Sequence, residues 1–310
     1  MRTSAKIRKA VIPVAGLGTR FLPITKTVPK EMLAIAGKPL IQYAVEEAAA
    51  SGLETVILIV GRGKRLLTEY FRESPALEDL LIQRGREAEA EALRKLPQLA
   101  EIRTVWQDFP HGLAHAIGCA RSQVGDEPFA VILPDALIDS TVPCTRQLIE
   151  CYERHHPGCV VATRLVDPCD VERFGILDVV PVLDPCLSGR VFRAISLIER
   201  PRPEYAKSRY GVFGRYILEP EIFDCIDRIR PGFGGELQLS DALMRYSNQS
   251  PVLGFCFEGA HYDAGDKFGF LQASIEYALK DPAISDRLRR QLAAWDVSSV
   301  AIRAMNASIQ

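Results

Sequence analysis

Residues 11–33, VIPVAGLGTRFLPITKTVPKEML, place Gly16 and Gly18 directly after a short apolar run and follow them with Arg20, Lys26 and Lys30. Glycines in that position let a ligand approach the backbone. Exposed amides in a concave turn bind anions, and arginine or lysine beyond them can neutralise a polyphosphate. Pro23 and Pro29 stiffen the segment between the cations and suit it to holding charge at fixed positions. Neither standard phosphate loop is present. A dinucleotide loop needs a third glycine where Phe21 stands, and no G-x-x-x-x-G-K-S/T spacing occurs in the chain. Taken alone, the stretch leaves two readings open: an anion cradle, or a turn whose cations are solvated.

Such a loop needs a rigid strand before it and neighbours beside it. Residues 9–14 and 55–60 are short β-branched runs of the buried-strand kind, and 40–51 between them carries apolar residues at helical spacing and stops at Gly52. Residues 102–106 and 129–133 read as further strands, with a helix over 113–122 between them. That alternation predicts an α/β protein with a mostly parallel, Rossmann-like mixed sheet flanked by helices. Residues 76–96 predict an exposed helix or helical hairpin. From about 158 the pattern turns to strands at 158–166, 175–183 and 190–198, a helix at 240–247, a strand at 252–257, and helices at 267–279 and 284–295. The expected organisation is a single unit over 1–296, with a first α/β half at 7–157, a smaller β-rich half at 158–280, a C-terminal helix at 281–296 and a tail at 297–310.

The formal net charge is −1, so no global basic field gathers nucleic acid or an acidic membrane, and any anion must be met by local donors. No stretch approaches the roughly 20 apolar residues that cross a bilayer. The basic-then-apolar start reads as a first buried strand rather than a leader, because Pro13 and Arg20 interrupt it. The eight cysteines contain no C-x-x-C pair and read as scattered thiols of a reducing compartment. A cytoplasmic location is expected.

The full stretch, including its PKEML continuation, resembles the nucleotide-binding signature of the bacterial UTP–glucose-1-phosphate uridylyltransferases, a family of sugar-phosphate nucleotidyltransferases. The resemblance continues through QDFPHGLAHAI (107–117), VILPD (131–135), FGILD (174–178), LIERP (197–201), GGELQLSDA (234–242) and YDAGDKFGFLQASIEYAL (262–279). It implies the nucleotide-diphospho-sugar transferase fold and a reaction in which a sugar 1-phosphate attacks the α-phosphorus of UTP, giving a UDP-sugar and pyrophosphate. It implies roles as well. Ala15, Gly16, Leu17, Gly18 and Thr19 cradle the nucleotide, and Arg20 and Lys30 stabilise the triphosphate and its developing charge. Gln107 reads the uracil edge beside the Gly112 backbone. Gly175 and Glu199 meet the sugar, and Arg200 its phosphate. Asp135 and Asp263 hold Mg²⁺. His115 is expected to be structural, Lys26 solvated, and Glu236, Gln238 and Asp241 to position the sugar-side loops. The family also implies a homodimer or homotetramer.

Three departures fall at the substrate end. Arg200 stands where the family has the lysine of EKP, and a planar fork is not equivalent to an ammonium. Arg209 replaces a common asparagine and is expected to add a cation near the sugar. Ala114 and Asp266 alter GLGHA and CGNK. The added arginine raises an acidic acceptor, glucuronic acid 1-phosphate, as the alternative to glucose 1-phosphate. The shared loop and aspartates leave dTTP as an alternative donor, and a non-catalytic sugar-nucleotide-binding protein is the reading outside the class.

Overall fold

The run TVILIVG at Thr55–Gly61 is buried along its whole length. That is the pattern of a strand covered on both faces, and each Val, Ile or Leu so buried contributes about 1.5–3 kcal/mol relative to exposure. A computed structural model describes residues 6–184 and 189–295. In chain order these form β1 (Lys9–Val14), β2 (Ala34–Ile35), β3 (Lys38–Pro39), β4 (Thr55–Gly61), β5 (Glu101–Gln107), β6 (Phe129–Ile132) and β7 (Ala136–Asp139). They continue as β8 (Cys159–Leu165), β9 (Gly175–Pro181), β10 (Val191–Glu199), β11 (Tyr210–Leu218), β12 (Val252–Cys256) and β13 (Ala260–Asp263).

Strands β5, β4, β1 and β6 lie side by side and parallel. Their carboxyl ends therefore open at one edge, where open α/β sheets bind ligands. Strand β11 inserts antiparallel between β6 and β8, β12 runs parallel to β8, and β10 and β9 complete the sheet antiparallel. The result is one continuous nine-stranded sheet, ordered β5-β4-β1-β6-β11-β8-β12-β10-β9.

Strand periodicity of two divides the core. Ile12, Val14, Val56 and Leu58 face one apolar layer, covered by the helices Leu40–Ala50 and Cys144–His155. Val11, Ile57 and Ile59 face the other, covered by Leu113–Gly118, Ile222–Ile226 and Leu239–Tyr246.

The exposed helix or helical hairpin expected over 76–96 is a hairpin of Pro75–Gln83 and Glu87–Lys95. The helix expected over 113–122 is instead two pieces, Leu113–Gly118 and Arg121–Val124, with Gly118, a weak helix former, at the break. The helix Ser285–Ala294 buries none of its residues. Ile284 and Trp295 flank it and are exposed. The tail 297–310 lies outside the described residues. All seven described cysteines are free. Among the described residues no helix is long and apolar enough to cross a membrane.

Candidate active site

The glycine loop leaves the sheet at the carboxyl end of β1. Ala15 is buried, whereas Gly16, Leu17, Thr19 and Arg20 are exposed. Gly18 is left-handed, with φ of 66°. A Cβ there would meet the Lys30 and Thr25 side chains at 3.2 Å, so both conformation and space require glycine. Thr25 Oγ1 donates to the Gly18 carbonyl at 2.8 Å and closes the turn. A residue with no assignment from sequence braces the loop from below. Lys64, in the turn after β4, donates to the carbonyls of Val14 (2.6 Å) and Gly16 (2.5 Å). Lys26 is exposed, as expected.

Asp135 follows β6, and the two-stranded ribbon of β7 and β13 sets Asp263 beside it, since Asp263 pairs with Ala136 and Ala264 N–H donates to Asp135 O at 2.8 Å. Gly265 lies between the two side chains. A Cβ at that glycine would stand 3.0 Å from Asp135 Oδ2 and 3.1 Å from Asp263 Oδ1, so both carboxylates converge on one small space. Gly265 N–H donates to Asp263 Oδ1, and its carbonyl accepts from Arg20 Nη1 at 3.4 Å. Lys30 Nζ donates to Asp135 Oδ2.

Electrostatics separate the two carboxylates. Burial alone would raise Asp135, but the Lys30 ammonium outweighs it and holds the carboxyl below its usual range. Asp263 is pushed up by burial and by the neighbouring Asp135 and Asp266. Burial would lower Lys30, yet Asp135 raises it further. Two hard oxygen donors suit a divalent cation that completes its shell with phosphate oxygens and water. Among the described residues no group of three or more His, Cys, Asp or Glu forms a closed metal cage.

These groups open onto a cleft of about 480 Å³ lined by Arg20, Asp135, Asp263, Gly175, Glu199 and Arg200. The β9–β10 register places Gly175 opposite Glu199. A Cβ on Gly175 would meet Glu199 Oε2 at 3.2 Å, so the glycine makes room for that carboxylate. Burial raises the Glu199 carboxyl despite Arg200 beside it. Arg200 is left-handed, with φ of 44°, and lays its guanidinium over Phe233 at 5.7 Å. Glu236 and Gln238 also line the cleft, and Gln238 Nε2 donates to Phe233 O at 2.9 Å. Arg209 corrects the sequence reading: it is exposed and does not line the cleft. Its backbone is drawn into a bond with Val166 N–H at 2.9 Å instead.

Further residues gather here without having been singled out from sequence. Arg173 lines the cleft and bonds Asp263 (3.2 Å) and Asp266 (2.7 Å). Its signal was its place immediately before FGILD. His261 packs edge-on against Phe213 at 4.6 Å and is pushed down to about 4 by burial and by Arg215 and Arg164. Beneath the cleft Arg215, 2% exposed, donates to Leu133 O at 2.8 Å and so supports the turn that carries Asp135.

Gln107 and Gly112 do not themselves line that cleft, although Leu113, next to Gly112, does. Gln107 pairs with Gly61 across β4 and β5, and Gly61 packs on Ala15, so three strand ends lie side by side. Gln107 is only 4% exposed, and its Nε2 lies 2.6 Å from His115 Nδ1. The glycine at 112 is required by packing: a Cβ there would meet Leu237 O at 2.7 Å.

The nucleotidyl transferase family model matches residues 9–280. A UTP–glucose-1-phosphate uridylyltransferase of Staphylococcus saprophyticus is 44% identical over 283 residues, 91% of this chain and 96% of that protein. A crystal structure of UDP-glucose pyrophosphorylase complexed with UDP-glucose superposes with a TM-score of 0.80 at 36% identity, covering 89% of this chain and all of that one. The UTP-bound enzyme of Acinetobacter baumannii superposes with a TM-score of 0.83 at 32% identity, covering 94% and 100%. The chain therefore belongs to the nucleotidyl transferase family, among its UTP–glucose-1-phosphate uridylyltransferases.

Proposed function

We propose that the protein joins UTP and glucose 1-phosphate into UDP-glucose and pyrophosphate. A phosphate oxygen of the sugar attacks the α-phosphorus, the bond from that phosphorus to the bridging oxygen breaks, and pyrophosphate leaves with the bond electrons. The observation that carries the reading is the convergence of Asp135 and Asp263 on the space beside Gly265, next to Lys30 and Arg20 and open to the Glu199 side of the cleft. The complexes of related enzymes with UTP and with UDP-glucose support it.

The chain's own groups divide the work. Residues 15–19 offer backbone amides to the nucleotide, Lys30 and Arg20 stabilise charge on the transferring group and on pyrophosphate, and Gln107 reads the base. Gly112 supplies backbone beside it. Glu199 accepts from sugar hydroxyls, Gly175 leaves room for the ring, and Arg200 holds the sugar phosphate. Asp135 and Asp263 would hold Mg²⁺, which when bound neutralises the facing phosphates and so lets two anions meet. Glucose 1-phosphate is favoured over an acidic sugar because Arg209, on which the acidic reading rested, lies outside the cleft. A cytoplasmic homodimer or homotetramer is part of the same proposal, checked by light scattering.

The test is a panel of UTP, dTTP and CTP against glucose 1-phosphate and glucuronic acid 1-phosphate, read as pyrophosphate release with and without Mg²⁺. Release that is fastest with UTP and glucose 1-phosphate and needs Mg²⁺ is expected. No release with any pair would leave only a sugar-nucleotide-binding protein.

A further inference from the structure

Reading uracil with a glutamine has a symmetry problem. A free side-chain amide offers a carbonyl acceptor and an NH₂ donor, and a 180° flip exchanges them. Uracil presents an N3–H donor beside a carbonyl, whereas cytosine presents an N3 acceptor beside an amino group. An amide free to flip would therefore accept both bases.

Resting on the reading of Gln107 as the base reader, we propose that His115 locks the Gln107 amide in the orientation that accepts uracil and rejects cytosine, which makes His115 a positioning residue for nucleotide selection. Gln107 Nε2 lies 2.6 Å from His115 Nδ1. One amide proton is spent on that ring nitrogen. The carbonyl oxygen is left to accept from uracil N3–H, and the second amide proton to donate to the adjacent uracil oxygen. Flipping the amide would set Oε1 against the Nδ1 lone pair, and relieving the clash would require the imidazole to change tautomer as well.

Three features hold the pair in place. Gln107 is 4% exposed, at the end of β5, where its backbone is fixed by pairing with Gly61. His115 sits in the helix Leu113–Gly118, whose start is pinned by Leu237 N–H donating to His111 O at 2.8 Å and Ala114 N–H donating to Leu237 O at 3.1 Å. The His111 ring packs edge-on against the His115 ring at 5.1 Å. Burial and His111 push His115 below its usual pKa, which favours the neutral ring whose Nδ1 can accept.

The test compares kcat and KM for UTP and CTP, with glucose 1-phosphate, in the full-length enzyme and three variants. His115→Phe keeps the ring and its packing but removes the acceptor. His115→Asn places Oδ1 where Nδ1 stands and restores it. Gln107→Leu removes the reader itself. His115→Phe is expected to lower the UTP-over-CTP ratio of kcat/KM about 10- to 100-fold, mainly through a higher KM for UTP. His115→Asn should return it to within about threefold of the parent. A folded His115→Phe that keeps the parent ratio overturns the proposal, as does His115→Asn behaving like His115→Phe. If Gln107→Leu alone loses selectivity, the base-reading role stands and only the part assigned to His115 fails. If Gln107→Leu keeps the parent ratio, both fail.

Discussion

Lys64 and Glu31 form a buried ion pair at 3.0 Å directly beneath the glycine loop, with Glu31 1% exposed. Because Lys64 also bonds the carbonyls of Val14 and Gly16, the pair fixes the backbone proposed to offer its amides to the nucleotide. Lys64→Met should leave Glu31 buried without its partner and let the loop drift. The expected loss is about 100-fold in kcat/KM for UTP, the scale of a misplacement near 1 Å. Steady-state kinetics together with thermal unfolding check this, and an unchanged KM for UTP in a folded variant would remove Lys64 from the positioning of the loop.

Gly265→Ala tests the convergence of the two aspartates more sharply than removing either one. The added methyl would stand 3.0 Å from Asp135 Oδ2 and 3.1 Å from Asp263 Oδ1. It forces the carboxylates apart while leaving both charges in place. Weakened divalent-ion binding is expected, read by Mn²⁺ paramagnetic resonance, with turnover down about 100-fold or more and circular dichroism unchanged. Normal Mn²⁺ affinity would show that the ion is held elsewhere.

Asp135→Asn removes a charge rather than a shape. Lys30 loses the partner that raises it, and the proposed metal site loses its more acidic carboxylate. Turnover should fall by about 10²–10³ with the fold intact, measured by initial rates at saturating substrates. Near-parent rates would take Asp135 out of the metal site.

How much of this was legible in the sequence depends on distance along the chain. Gly18, Arg20 and Lys30 lie within one quoted stretch, and Asp135 and Asp263 each sit in a short motif, so all were nameable in advance. Lys64 binds Glu31 33 residues away and Arg173 binds Asp263 across 90. Those pairings exist only once the sheet brings distant strand ends together. Strand β11 carried no strand expectation because Gly211 and Gly214 interrupt YGVFGRYIL. Gly214, with φ of 67°, sits where the register against β8 shifts, and a Cβ there would press on Leu133 at 3.0 Å. The glycine that hides the strand is also what lets the Asp135 turn lie against it. Arg209 was misread for the converse reason: sequence proximity to the sugar-side motif says nothing about which side of the strand end it takes.

Arg200→Lys restores the lysine common in the family. The guanidinium stacks over Phe233 and lies 3.7 Å from Glu199, a loose contact rather than a bidentate clamp. A lysine can keep the charge proposed to meet the sugar phosphate while losing the stacking. The variant should stay within about tenfold of the parent in kcat/KM for glucose 1-phosphate, a cost near 1.4 kcal/mol. Activity collapsing by orders of magnitude would show that the planar fork is required.

The pair of Glu47 and Arg215 gives a pH dependence with a definite sign. Glu47 accepts from Arg215 Nη2 at 2.7 Å and from Thr145 N–H and Oγ1 at 3.0 and 2.6 Å. Burial would raise its carboxyl, but Arg215 and these bonds outweigh burial and hold it below the ordinary carboxylate value. With the folded pKa below the unfolded one, the stabilisation is complete above about 4.3, the ordinary value for Glu. It drains away as pH falls through the folded value, since the unfolded chain takes up the proton first. Glu47→Gln leaves the Arg215 guanidinium buried without a counter-charge and should cost about 3–5 kcal/mol at neutral pH. Urea unfolding of parent and variant at pH 7 and again below about pH 4 measures the gap, which should narrow on the acid side. A gap that stays constant across that range would mean the pair acts through shape and packing, with no part for the charge that supports the Asp135 turn.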